Sequence, residues 1–133
     1  MKTISELAYD AIIALNLIPA ENVGINAVIS ADWNGETRII VSESESEQEG
    51  HQLGAIAQTT VLTIYVLSRN HNTALNFCLT AGKAVYKAIE KLERKQGYGI
   101  LAITRYQNGI KNVTDRTEFE AFRSFNVINK INF

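Results

Sequence analysis

Gln52–Ser68, QLGAIAQTTVLTIYVLS, carries no charged residue over 17 positions, and its reading decides the fold. Its body, Ala55–Leu67, is long and rich in β-branched residues, the composition of a strand. The stretch is slightly short for a membrane span, and Gln52, Gln58, Thr59, Thr60 and Thr63 make it a poor one, so no membrane is expected. Before it stands an acidic run, SESESEQE (Ser42–Glu49). After it, RNHNT (Arg69–Thr73) leads into a helix with a basic face. A charge-free strand that turns at once into such a helix reads as an assembly element more than as a catalytic one.

Upstream, Thr3-Ile4-Ser5-Glu6 is a capping box, in which hydroxyl and carboxylate satisfy each other's backbone donors. Ile4, Leu7, Ala8, Ala11, Ile12 and Leu15 recur at helical spacing, which predicts a first helix of about 13 residues with one buried face. Asn16 and Pro19 end it. Ile25, Ala27, Ile29, Ala31 and Trp33 then alternate, predicting a strand over Ile25–Trp33. Asn34-Gly35 is a type I′ hairpin signal, with Thr37–Ser42 as the returning strand. The acidic run is too polar and charged to be buried and reads as a long loop or a strand extension.

Downstream, the second helix is expected to start around Asn72 or Thr73, either of which can cap it. It is expected to end near Gln96, with Gly97 as the left-handed cap. Leu75, Cys78, Ala81, Gly82, Val85, Ala88, Ile89 and Leu92 form its apolar stripe, while Lys83, Lys87, Lys91 and Lys95, joined by Arg94, lie opposite. Three strands follow: Tyr98–Tyr106, Ile110–Thr114 after an Asn108-Gly109 turn, and Phe119–Phe133. The last, at about 15 residues, exceeds the usual strand length, so its end is expected to pair outside its own sheet. The order α-β-β-β-α-β-β-β predicts a single α+β domain over residues 1–133. Its sheet is mostly antiparallel, with two helices packed on one face.

The charge is unevenly placed. The chain has 133 residues and a net charge of −1, so nothing global points to a nucleic-acid binder. Residues 1–68 hold two bases against nine acids, a net of −7, whereas residues 69–133 hold 11 bases against five acids, a net of +6. Such polarity suits head-to-tail contact between identical subunits. One cysteine, Cys78, excludes an internal disulfide and fits an intracellular folding environment. The start, MKTISELAYDAI, has acids and no uninterrupted apolar core, and is not read as a signal peptide.

Catalytic residues are not expected. His51 and His71 fall in predicted loops, and no Cys/His/Asp spacing fits a metal site. Cys78 lies on the apolar stripe and reads as a small core hydrophobe. No G-x-S-x-G, P-loop or dinucleotide fingerprint occurs, and Gly97-Tyr98-Gly99 opens a strand instead of a helix. Asn112-Val113-Thr114 is a chance match to a glycosylation sequon. Phe119, Phe122 and Phe125 straddle both faces of the last strand, so they read as packing residues and not as a base-stacking platform. No enzyme activity and no cofactor follow from these residues.

Two ladders remain as candidate interface residues. Glu43, Glu45, Glu47 and Glu49 are spaced by two, roughly 6.6–6.8 Å per step if extended. Lys83, Lys87, Lys91 and Lys95 are spaced by four, roughly 6 Å per step on a helix. The near-match of spacing lets the acidic run of one subunit lie along the basic face of a neighbour. The bland alternative is two solvated surfaces, since exposed ion pairs contribute little.

The strand TTVLTIYVLSR, a short polar turn, and ALNFCLTAGKAVYKAIEKL together resemble the tail terminator and tail completion proteins of tailed bacteriophages. In that group a strand ending in a "wsr"-like tripeptide precedes a helix of the form "a…la..v..aL". A strand, a turn and a closing "f.v.v" strand follow, as in GILAITRYQNGIKN and FEAFRSFNVINKINF. Leu67 stands where members carry the tryptophan, and Thr37-Arg38 where many have Pro-Tyr. The likeness covers roughly residues 37–133. It implies a non-enzymatic, ring-forming virion protein, usually a hexamer, that caps the tail tube and meets the head–tail connector while DNA passes through its lumen. It also implies a second role for Glu43–Glu49, as a lumen lining that repels phosphates. A head–tail joining protein of the neck and, from another class, a small α+β ligand-binding domain are the alternatives.

Overall fold

The computed structural model describes residues 3–26, 36–45, 57–93, 95, 99–112 and 118–130. Helix α1 (Ile4–Leu15) begins at the expected capping box: the Thr3 amide donates to Glu6 Oε1 at 3.2 Å and the Glu6 amide to Thr3 Oγ1 at 3.1 Å. Asn16 closes it in the left-handed region, φ 54°, a conformation that asparagine tolerates better than most residues. Ala8 and Ile12 are its buried apolar positions.

A 3-10 turn, Ala20–Asn22, leads into β1 (Val23–Ile25), which pairs in parallel with β2 (Arg38–Glu45). The expected strand Ile25–Trp33 is corrected at its start. The strand begins at Val23, and Asn26, at φ 51°, breaks the extended run. A parallel pair is not joined by a two-residue turn, so β1 is not the hairpin partner expected for the returning strand. Residues 27–35, with Asn34-Gly35, lie outside the described residues. Strand β2 continues past Ser42 to Glu45, which takes the first half of the acidic run into the sheet.

Strand β3 (Ala57–Ser68) is the charge-free stretch, antiparallel to β2. After it comes α2 (His71–Glu90). Its N-cap is Asn70, whose Oδ1 accepts from the Thr73 amide at 3.0 Å, rather than Asn72 or Thr73. The helix also stops short of Gln96. Beyond Glu90 the hydrogen bonds tighten to three-residue spacing, with Leu92 N–H to Ile89 O at 2.9 Å and Glu93 N–H to Glu90 O at 3.1 Å. Glu93 Oε1 then accepts from the Ile103 amide at 3.0 Å, tying the turn to the sheet. The buried stripe is Ala74, Cys78, Ala81, Gly82, Val85 and Ile89, and Leu75 is 44% exposed. Small residues in the first turns let the helix lie close to the strands.

Among the described residues, strands β4 (Ile100–Asn112) and β5 (Phe119–Lys130) complete a five-stranded sheet in the order β1-β2-β3-β5-β4. Among the described residues two strands follow α2 where three were expected, because Asn108-Gly109 lies inside β4 and makes no turn. A Cβ on Gly109 would sit 2.8 Å from Phe122 Cε1, so the glycine admits a ring and does not reverse the chain. From Phe119, opposite Ser68, to Lys130, opposite Ala57, β5 is paired with β3; the end of the expected strand, residues 131–133, lies outside the described residues.

The class is α+β, a mixed and mostly antiparallel sheet with both helices on one face. Cross-strand partners share a face. Ile39 and Val41 of β2, Leu62, Ile64 and Val66 of β3, Ala121, Phe125 and Val127 of β5, and Ile103 of β4 all point to the helices. Each fully buried aliphatic side chain of this kind contributes about 1.5–3 kcal/mol. Phe125 is in this core, whereas Phe122 is half-buried on the opposite face, as the straddling pattern predicts.

Candidate functional site

Pairing places Glu43 and Arg105 in one row. Glu43 of β2 lies opposite Leu62 of β3, Leu62 opposite Phe125 of β5, and Phe125 opposite Arg105 of β4. An acid near one side of the sheet and a base on the far strand thus project on the helix face at the same level. The Glu43 amide donates to Asn26 Oδ1 at 3.3 Å, so the Asn26 kink holds the backbone there. Glu45 follows in the row of Thr60, Val127 and Ile103, and Glu47 and Glu49 lie outside the described residues.

The lysine ladder is shorter than its spacing implies. Lys83 and Lys87 are exposed, one turn apart on α2. Lys91 caps the helix, and Lys95 lies in the chain beyond it. The ladder ends because the helix ends. Among the described residues no ion pair joins Glu43 to any of these lysines.

Lys83 and Lys87 instead line a groove of about 310 Å³ with Gly82, Tyr86 and Glu90 of α2, Arg105 of β4, and Arg123 and Phe125 of β5. Arg123 sits opposite Ile64, on the packed face of the sheet. Its stem crosses α2 at Gly82, where a Cβ would stand 2.5 Å from Arg123 Cδ. Arg105 places its guanidinium carbon 5.6 Å from the Tyr86 ring centroid, and that ring packs against Phe125 at 5.8 Å. Four cations thus face one carboxylate, Glu90.

The fold and this cleft can be set beside known proteins. No protein-family model and no curated protein matches the sequence. Among solved structures, the chain is similar to a chain of the "Virion of native gene transfer agent (GTA) particle". The TM-score is 0.58 and the identity 13%, over 93% of this chain and 92% of that one. The two chains share a fold from end to end.

Other candidate chemistry resolves into packing. Cys78 is buried, and its thiol donates toward the Ile64 carbonyl at 4.0 Å. Burial pushes the thiol up to about 11, while the charge of Arg123 pulls the other way. His71, the first residue of α2, meets the Phe119 ring edge-on at 5.1 Å. His51 lies outside the described residues.

Sequence reading missed Arg105 and Arg123. For Arg123 a signal was present: it interrupts the apolar alternation Phe119, Ala121, Phe125, Val127, and Gly82 interrupts the helical stripe above it. The register with β3 puts Arg123 on the helix face, and only the packing of α2 over β5 shows that the two positions meet.

Proposed function

We propose that this chain is a structural virion protein: a ring-forming subunit, hexameric as its family resemblance implies, that caps the tail tube and ends tail polymerisation. It acts as one domain over residues 1–133 and offers its other face to the head–tail connector. The role is mechanical, without catalysis or cofactor. Its partners are further copies of itself, the tail tube protein and connector proteins, with DNA passing non-specifically through the lumen. It resides in the tail or neck of the virion after assembly in the host cytoplasm.

The observation that carries this reading is the likeness, along nearly the whole of both chains, to a chain of a virion particle. The charge layout supports it. A heterologous contact, acidic surface to basic surface, generates a ring when the rotation closes. Glu43 and Arg105, in one row on separate strands, supply the two halves of such a contact.

Size-exclusion chromatography and negative-stain microscopy test the reading. Rings with a central hole are expected, and added chain should stop the growth of tail tubes. A monomer or compact dimer, alone and with tube protein, overturns it and favours a small ligand-binding domain with the cationic groove as its pocket. Binding to connector but not to tube assigns the chain to head–tail joining. Neutralising Glu43, Glu45, Glu47 and Glu49 separates their two roles. Lost assembly supports the subunit contact, and normal assembly with impaired DNA delivery supports the lumen.

A further inference from the structure

We infer that the groove between α2 and strands β4 and β5 is the receptor for the acidic run of a second copy of this chain, with Lys83, Lys87, Arg105 and Arg123 holding its carboxylates. This rests on the ring reading above and assigns its contact to specific side chains. Lys91 and Lys95, beyond the helix, are not part of it.

The groove is built for a charged occupant. Arg123 stands on the packed face of the sheet beside Ile64 and Phe125, with no carboxylate paired to it among the described residues. A half-buried charge without a partner is costly unless something supplies one. Gly82 in a helix interior costs about 1 kcal/mol relative to alanine, and here it leaves the space through which the Arg123 stem passes. The Arg105 guanidinium carbon lies over the Tyr86 ring at 5.6 Å, and a planar guanidinium suits bidentate carboxylates. Lys83 and Lys87 repeat at roughly 6 Å, close to the step of an extended i, i+2 run.

The occupant follows from charge and distance. Glu43 and Glu45 lie on β2, whereas the groove is at β4 and β5. With β3 and β5 between them, the β2 and β4 backbones are roughly 14 Å apart. The chain's own Glu43 and Glu45 are on the wrong side of its sheet. A second copy, set head to tail, can bring the acidic end of its β2, past the three positions that β1 pairs, to the groove beside this β4 by side-chain contact.

The test uses the full chain in three forms. Lys87→Glu with Arg105→Glu reverses the groove at two exposed positions, Glu43→Lys with Glu45→Lys reverses the run, and a third form carries all four. Self-association is read by sedimentation across a salt series, with thermal melting to confirm that each form folds. Each pair alone should weaken association by roughly tenfold or more, and the fourfold form should recover it. If the groove-reversed form assembles like the unaltered chain with the same salt dependence, this inference falls and the ring reading stands.

If the unaltered chain is a monomer, the ring reading falls separately and a direct titration decides the groove. The peptide SESESEQE should move the NMR signals of Lys83, Lys87, Arg105 and Arg123, and should not do so in the groove-reversed form. No response, or a response to a short DNA oligonucleotide alone, overturns the assignment.

Discussion

Helix α2 meets the sheet in two ways, one turn apart. At Cys78 it lies over β3, where the thiol points to the Ile64 carbonyl and Ile64 is wholly buried. At Gly82 it lies over β5, where Arg123, the register partner of Ile64, passes beneath and emerges into a cationic groove. The two sheet residues share a row and a face, and differ in side chain. One contact closes the core, and the other lines an open groove. Proximity to the core therefore does not make a position structural, because a glycine above and an arginine below can turn it outward.

The largest expected effect comes from breaking the dry contact. Ile64→Ala should cost about 2–5 kcal/mol in denaturant unfolding, through lost transfer energy and a cavity. Arg123→Met, at the paired position, should stay within about 1 kcal/mol. Equal losses at the two sites would erase the contrast.

Alkaline titration comes next. Burial raises the Cys78 thiol from 9.0 to about 11, so the folded chain holds its proton where the unfolded chain has released it. This contribution is fully present below about pH 9 and is lost as pH rises through about 11, at up to ~1.4 kcal/mol per unit. Cys78→Ala should flatten that part of the stability–pH curve. Arg123→Met should raise the thiol further, since it removes the opposing charge, and slow its alkylation in the folded state.

The smallest effect tests the other contact. Gly82→Ala gains helix propensity of about 1 kcal/mol but pushes a methyl into Arg123. Alone it should be neutral or destabilising; in an Arg123→Ala background it should stabilise. A coupling of about 0.5–3 kcal/mol in the double-mutant cycle is expected. Additive changes would mean that the two side chains do not meet.

Legibility in the sequence followed how local the cause was. Thr3 and Glu6 satisfy each other within one turn, so the start of α1 is written in four residues. Residues 57–68 are charge-free and rich in β-branched residues, a composition that marks a strand, and β3 lies in the middle of the sheet. Asn108-Gly109 misled because the demand on Gly109 comes from Phe122 on another strand. The end of α2 was misjudged for a similar reason, since Glu93 reaches the Ile103 amide ten positions away. The candidate acids and lysines were visible as spacing, whereas the groove needed Arg105, Arg123 and Gly82 to be brought together by strand order.

Strand β4 forms one edge of the sheet, and its register against β5 shifts between Ile100 and Ala102 and again between Arg105 and Asn108. An incoming strand needs an even row of amides and carbonyls, and bulges of this kind break that row and twist it away. The described β4 therefore offers no continuous row along which another strand could pair. What meets this edge meets side chains, which differ from one protein to the next, before it meets backbone, which does not.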